Sequence, residues 1–306
     1  MSIAPWNLSY LNREPYITIE EFKASPIATT VDVTALIPNG GQAAQDAALQ
    51  ELIVGASTYA DNYCLGPIGT LNASVNTENG RFRADRYGRF TIHPAFWPIL
   101  QVVSFSTGPT PALVGSVPVS SSTVWIEPHS FSVMSGQGLT SSTGPLDFSG
   151  AQWASNRENY CQWVYVNGWA NTFLTAQATP GSSTLSITDA TGIYPGSVLT
   201  IWDGAQSESI TVASTYNGSS LTLPIVGTTT WYHGNGANVS ALPKTVKDAV
   251  IHLTVAAIKQ RGEGGIVLTE DGGTAQIAGE HNLGSAEDLN RGEELLESFT
   301  AIWGQG

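Results

Sequence analysis

The side chains able to do chemistry are scattered along this chain. Its five histidines, His93, His129, His233, His252 and His281, lie far apart, with none of the paired spacing that brings two ring nitrogens onto one metal. His252 falls in a helical stretch, where Asp248, four residues earlier, is its expected partner. Glu20-Glu21 and Glu293-Glu294 are carboxylate pairs, but neighbours on a helix point apart, which suits solvated surface better than shared acid–base work. Gly262-Glu263-Gly264-Gly265 reads as a flexible linker rather than a phosphate cradle. There is no Walker loop, dinucleotide glycine pattern, HExxH helix or serine elbow. Cys64 and Cys161 read as small buried hydrophobes rather than a disulfide. The expectation is a protein that is not an enzyme, with no catalytic set, no metal ligands and no cofactor.

Two clusters rise above this background. Arg81, Arg83, Arg86 and Arg89 are half of the eight arginines, and Arg81 and Arg83 would share one face of a strand. They are read as an inter-subunit or channel contact, to an acidic partner or a DNA backbone, against the alternative of an exposed loop with local ion pairs. The second cluster is the C-terminal segment. Residues 262–306 carry nine acids and one base, and Leu289, Leu296, Phe299 and Trp303 share a face of a final helix. An isolated helix of about 19 residues is marginal in water, so that face must bury itself. It either packs on its own domain or docks on another subunit at the end of a glycine-rich arm. Docking is the expectation, and a chain cut before Ser285 should then fold but fail to join its partner.

The elements that would position these clusters are legible from spacing. Thr18-Ile19-Glu20-Glu21 has capping-box spacing and predicts a short helix near 18–24, ended by Pro26. Leu49, Leu52, Ile53, Ala56, Ala60 and Tyr63 give a helix over 43–65, with Gly66-Pro67 as its stop. Pro243 opens a third over 243–261, with Val246, Ala249, Val250, Leu253, Ala256 and Ala257 on one side. A fourth is expected over 285–303, with Ser285 and Asp288 at cap spacing. Between the second and third, residues 68–100 read as extended, with a tight turn at Asn79-Gly80. Short strands follow at Val102–Phe105, Val124–Ile126, Phe131–Met134 and Trp163–Val166. Four more, Ser183–Ile187, Ser197–Trp202, Glu208–Ala213 and Ser219–Leu223, alternate with turn residues and suggest a small barrel or sandwich. Ile266–Leu268 and Ala275–Ile277, flanking Asp271-Gly272-Gly273, could form a hairpin. The fold class is α+β: a helical core with a large β-rich insertion. In domain terms, 1–100 with 243–306 is one part, 101–175 a β-rich region and 176–242 an inserted β-module.

Composition narrows the class further. The chain has 306 residues, 42% of them hydrophobic, only 12% charged, and a net charge of -13. Low charge with abundant Ser, Thr and Asn fits β surfaces covered by neighbours, or a secreted β-protein. The negative balance argues against gripping nucleic acid by its phosphates and permits a wall that DNA slides past. No stretch is apolar over about 18 residues, so no membrane partner is expected. The opening Met1-Ser2-Ile3-Ala4-Pro5 lacks a secretory pattern, and synthesis in a reducing cytoplasm is expected.

Several of these pieces together resemble the head–tail connector (adaptor, head completion) proteins of long-tailed bacteriophages. Tyr16-Ile17-Thr18-Ile19-Glu20-Glu21-Phe22-Lys23 looks like their opening helix, and Gln45–Leu65 like their second. Val166-Asn167-Gly168-Trp169 and Leu242-Pro243-Lys244-Thr245-Val246-Lys247-Asp248-Ala249 look like their strand end and the helix start that follows. Here Ala170–Ala241 is wedged between those two, and the wedge is similar to small β-modules of phage structural proteins. The resemblance implies a structural virion protein: a ring of twelve copies in the neck, assembled in the host cytoplasm, between the portal and the tail-side neck or stopper proteins. DNA would pass through its lumen without specific binding. It also implies portal docking by C-terminal segments, here Leu289, Leu296, Phe299 and Trp303. Glu263, Glu270, Asp271 and Glu280, on the glycine-rich arm, are the candidate channel-facing acids. The alternative is a secreted or surface β-rich protein that binds carbohydrate through Trp202, Trp231 and Tyr232, since flat rings suit sugar faces.

Overall fold

The computed structural model describes residues 14–37, 39–65, 69–85, 88–127, 129–134, 158–262 and 282–300. The chain forms two compact units, one of Asn72–Ala170 and one of Met1–Leu71 with Asn171–Gly306. The architecture is mixed α+β. Among the described residues, no helix is long and apolar enough to cross a membrane.

The unit of Asn72–Ala170 is antiparallel. Its strands are β1 (Ser74–Arg83), β2 (Arg89–Ile92), β3 (Ile99–Gly108), β4 (Gly115–Val117), β5 (Val124–Glu127), β6 (Ser130–Met134) and β7 (Glu158–Asn167). One sheet runs β1-β7-β3-β4, the other β2-β6-β5. Aromatic rings from both sheets meet in the core: Phe82 lies edge-on to Trp163 at 5.5 Å, Trp163 packs on Phe131, Phe131 on Phe105, and Phe105 on Phe90. Such pairs add about 0.5–1.5 kcal/mol each beyond their buried area.

Asn79-Gly80 is not the expected turn. Both residues lie inside β1, opposite Gln162 and Cys161 of β7. The glycine serves packing instead, because a Cβ there would sit 2.7 Å from the Phe82 ring.

The other unit begins with α1 (Ile19–Ala24), two 3-10 turns (Pro26–Thr30 and Val33–Leu36) and α2 (Gln42–Leu65). The capping box is present as expected: Glu21 N donates to Thr18 Oγ1 and Thr18 N to Glu21 Oε2. Leu49, Ile53, Ala56, Ala60 and Cys64 form the buried stripe of α2. Buried Asp61 accepts the Tyr16 hydroxyl and Leu71 N, tying the chain on either side of α1 and α2 to the helix face.

After Ala170 come β8 (Asn171–Phe173), β9 (Thr184–Ser186), β10 (Val198–Trp202), β11 (Glu208–Thr211), β12 (Thr222–Pro224) and β13 (Asn238–Ser240). They form a sheet β11-β10-β13-β8 and a ribbon β12-β9. The expected turns are real: Asp189 Oδ1 accepts Thr191 N, and Asn217 Oδ1 accepts Ser219 N and Ser220 N ahead of a left-handed turn through Gly218.

The unit closes with α3 (Lys244–Gly262), α4 (Asn282–Leu296) and a 3-10 turn (Glu297–Phe299). α3 is buried on nearly every side, with Val246, Ala249, Val250, Ile251, Leu253, Val255, Ala256 and Ile258 all enclosed. So enclosed a helix is the central one of its unit, and α2 and α4 both pack on it.

The structure divides the chain differently from the expected 1–100, 101–175 and 176–242. β1 pairs along its whole length with β7, so residues 72–100 belong with the strands that follow them. The insert starts earlier, because β8 pairs with β13, and it belongs to the same unit as the helices. α4 starts at Asn282, so Ser285 is a buried residue inside the helix and not its cap. The hairpin expected around Asp271 lies outside the described residues.

Candidate functional site

No three His, Cys, Asp or Glu among the described residues converge to hold a metal ion. His252 does not pair with Asp248, which Lys244 takes. Instead its Nδ1 lies 3.0 Å from Asp288 on α4. His233 is 0% exposed between two carboxylates, Asp203 at 3.2 Å and Glu208 at 2.8 Å. Glu208 also accepts the backbone N–H groups of Thr230 and Trp231. Burial works to raise its pKa, but these hydrogen bonds outweigh it and hold the carboxyl below its usual range. Cys64 and Cys161 are buried free thiols, pushed up by burial to about 12 and about 11, the wrong direction for a nucleophile.

The arginines divide. Arg81 and Arg83 both lie on the exposed side of β1, as the period of two requires. Arg83 reaches Glu158 at 3.5 Å, and Arg81 makes no ion pair with any described residue. Arg89 begins β2 and is tied to Asp85 at 3.1 Å. Arg86 lies outside the described residues. Exposed pairs of this kind contribute about 0–1 kcal/mol, so the array is a surface feature and not a structural anchor.

The last helix departs from expectation. Leu296 is 0% exposed within its own unit, and its carbonyl accepts the Cys64 thiol at 3.8 Å. Its side chain is therefore used by the chain's own fold rather than held in reserve for another subunit. Leu289 and Phe299 are half-buried. Trp303, Glu263, Glu270, Asp271 and Glu280 lie outside the described residues. α4 is fastened by Lys259 to Asp288 and by the Tyr59 hydroxyl to Glu293. At Gly292 the helices approach closely: a Cβ would stand 2.9 Å from Leu253 Cγ on α3. Glu287 and Glu294 face outward along a shallow groove shared with His252 and Arg291.

Sequence reasoning missed the most constrained charge in the molecule. Lys247 is 2% exposed, and its Nζ donates to Tyr16 O at 2.9 Å, Glu21 Oε1 at 2.7 Å and Asn238 Oδ1 at 2.7 Å. It also lies over the Trp202 ring. Burial pushes the ammonium down to about 8 against the opposing pull of Glu21. The only sequence signal was a lysine in the middle of an otherwise apolar helix face. Trp202, half-buried beneath that ammonium with its indole Nε1 buried, is not a platform for a sugar. Trp231 and Tyr232, both 48% exposed, are side by side on the insert. No protein-family model matches this chain, and neither does any curated protein or solved structure.

Proposed function

We propose that the chain is a structural subunit of a bacteriophage head–tail adaptor, a ring in the neck of the virion between the portal and the tail-side proteins. The observation that carries this reading is that α1, α2, α3 and α4 belong to one compact unit although a separate strand-rich unit and six further strands lie between them in sequence. A helical core is what the resemblance implies, and the β-module wedged into it is where the chain departs from the plain family pattern. The pin from Lys247 to Glu21 and Tyr16, which closes that core across the interruption, adds support. The charge balance suits the role: copies carrying -13 each give a lumen wall from which DNA is repelled at short range, screened beyond about 8 Å at physiological salt. Twelve copies and a portal partner follow from the resemblance.

The test is the mass of the purified chain by light scattering, with negative-stain images of the chain alone and mixed with portal protein. Rings, or caps on portal particles, are the expected result; a monomer that ignores the portal refutes the proposal. One observation favours a second reading. The adjacent exposed Trp231 and Tyr232 could stack on a glycan, and quenching or shift of tryptophan fluorescence on titration with oligosaccharides would report it.

A further inference from the structure

We infer that copies of the chain join head to tail, the exposed β1 face of one copy carrying Arg81 and Arg83 against the outer face of α4 in the next, carrying Glu287 and Glu294. This rests on the ring reading above and names the surfaces that would build the ring. The argument begins with how charge is divided. Residues 72–170 hold five acids (Glu78, Asp85, Glu127, Asp147, Glu158) and five bases (Arg81, Arg83, Arg86, Arg89, Arg157), a net of zero. The other unit holds the remaining twenty acids and seven bases, so the whole -13 resides there.

Most cations in the described chain are already matched: Lys23 with Asp46, Arg89 with Asp85, Lys244 with Asp248, Lys247 with Glu21, Lys259 with Asp288 and Arg291 with Glu294. Arg81 is unmatched among the described residues, and Arg83 has only a long contact to Glu158. On α4, Asp288 is neutralised from α3, while Glu287 makes no ion pair with a described residue and Glu294 meets only Arg291. Glu287 and Glu294 are two turns apart on one face, about 10 Å. Arg81 and Arg83 are about 7 Å apart on the strand, and their long side chains can spread to that span.

The two faces pair with each other and not with themselves, since arginine set on arginine, or acid on acid, repels. A two-fold contact can pair them twice over only where both faces share one patch, whereas the ring reading calls for a heterologous one. A heterologous contact sets opposite charges together, leaves each copy with one unused surface of each kind, and so propagates into a ring or filament.

The experiment uses the full chain and two charge-reversed variants, Arg81→Glu/Arg83→Glu and Glu287→Lys/Glu294→Lys. Each alone should show at least a tenfold loss of assembled particles by light scattering and negative stain, with an unchanged circular dichroism melt. An equimolar mixture should assemble again, because every contact in an alternating array then pairs opposite charges. If the wild type forms rings and either variant alone forms them equally well, this contact is wrong while the ring reading stands. If the mixture fails but a chain carrying all four substitutions assembles, the pairing lies within one chain and the inference is overturned. A wild type that stays monomeric removes the ring reading and this contact together.

Discussion

Lys247 Nζ lies 2.7 Å from Glu21 Oε1, joining the third helix to the first across 226 residues of chain. Both side chains are nearly enclosed, at 2% and 8% exposure. Removing one partner of a buried pair strands the other, at a cost of about 3–5 kcal/mol. Lys247→Met should lower stability by about that much in urea melts. Glu21→Gln keeps the capping box, since glutamine can serve at that position. The double variant should therefore be less destabilised than the sum of the two singles. Strict additivity would mean the pair does not act as a unit.

The last helix is an integral part of its unit. Leu296→Ala should cost about 2–5 kcal/mol, as for other enclosed leucines. Gly292→Val should cost about 1–3 kcal/mol by overpacking against Leu253, although valine is the better helix former. A chain ending before Asn282 should lose cooperative unfolding, because α3 would be uncovered along the side that α4 protects. This reverses the sequence expectation that a chain cut before Ser285 folds normally. A truncated protein with a wild-type melt would restore the idea of a free docking arm.

Glu208 sets an acid limit on the insert. Its pKa is held below the usual value of 4.5, so its contribution to stability is complete above that value and is lost as pH falls through the lower folded value. Thermal melts should be level from neutral pH down to about 5 and decline below about 4. Glu208→Gln removes the ionised acceptor for His233, Thr230 and Trp231, should cost about 1–3 kcal/mol at neutral pH, and should flatten the acid decline. A variant with the wild-type acid limb would place the titration elsewhere.

Local signals carried the helices, while long-range pairing hid much of the rest. The capping box at Thr18 and Glu21, the stripe from Leu49 to Ala60, and Pro243 each act within a few residues, and their helices start within a residue or so of the expected places. Asn79-Gly80 misled because its role is set by Cys161 and Trp163, some eighty residues away. Three-residue strands such as β8 and β13 are too short to show alternation and exist through their partners. Periodicity showed that Leu296 must be buried, but the covering surface, α2 and α3, is not written in the period. For the candidate contact, the shared face of Arg81 and Arg83 was legible from strand spacing. The outward pair Glu287 and Glu294 was not, because only the structure shows that Lys259 takes Asp288 from α3 while these two face outward.

The inserted strands are not a detachable outgrowth. β13 pairs with β8, and Asn238 on β13 donates to Asn171 Oδ1 and Thr172 O while accepting from Lys247. Excising residues 176–242, with the ends joined by a short Gly/Ser linker, therefore removes the strand paired with β8 and one of the acceptors around a buried ammonium. A buried polar group left without a partner costs about 1–3 kcal/mol, more when charged. The excised chain should bind a hydrophobic dye and melt without a sharp transition. Adding Lys247→Met to it should destabilise it further, because buried Glu21 then loses its partner as well. An excised chain that is soluble and melts within a few degrees of the wild type would show that the helices are complete without these strands.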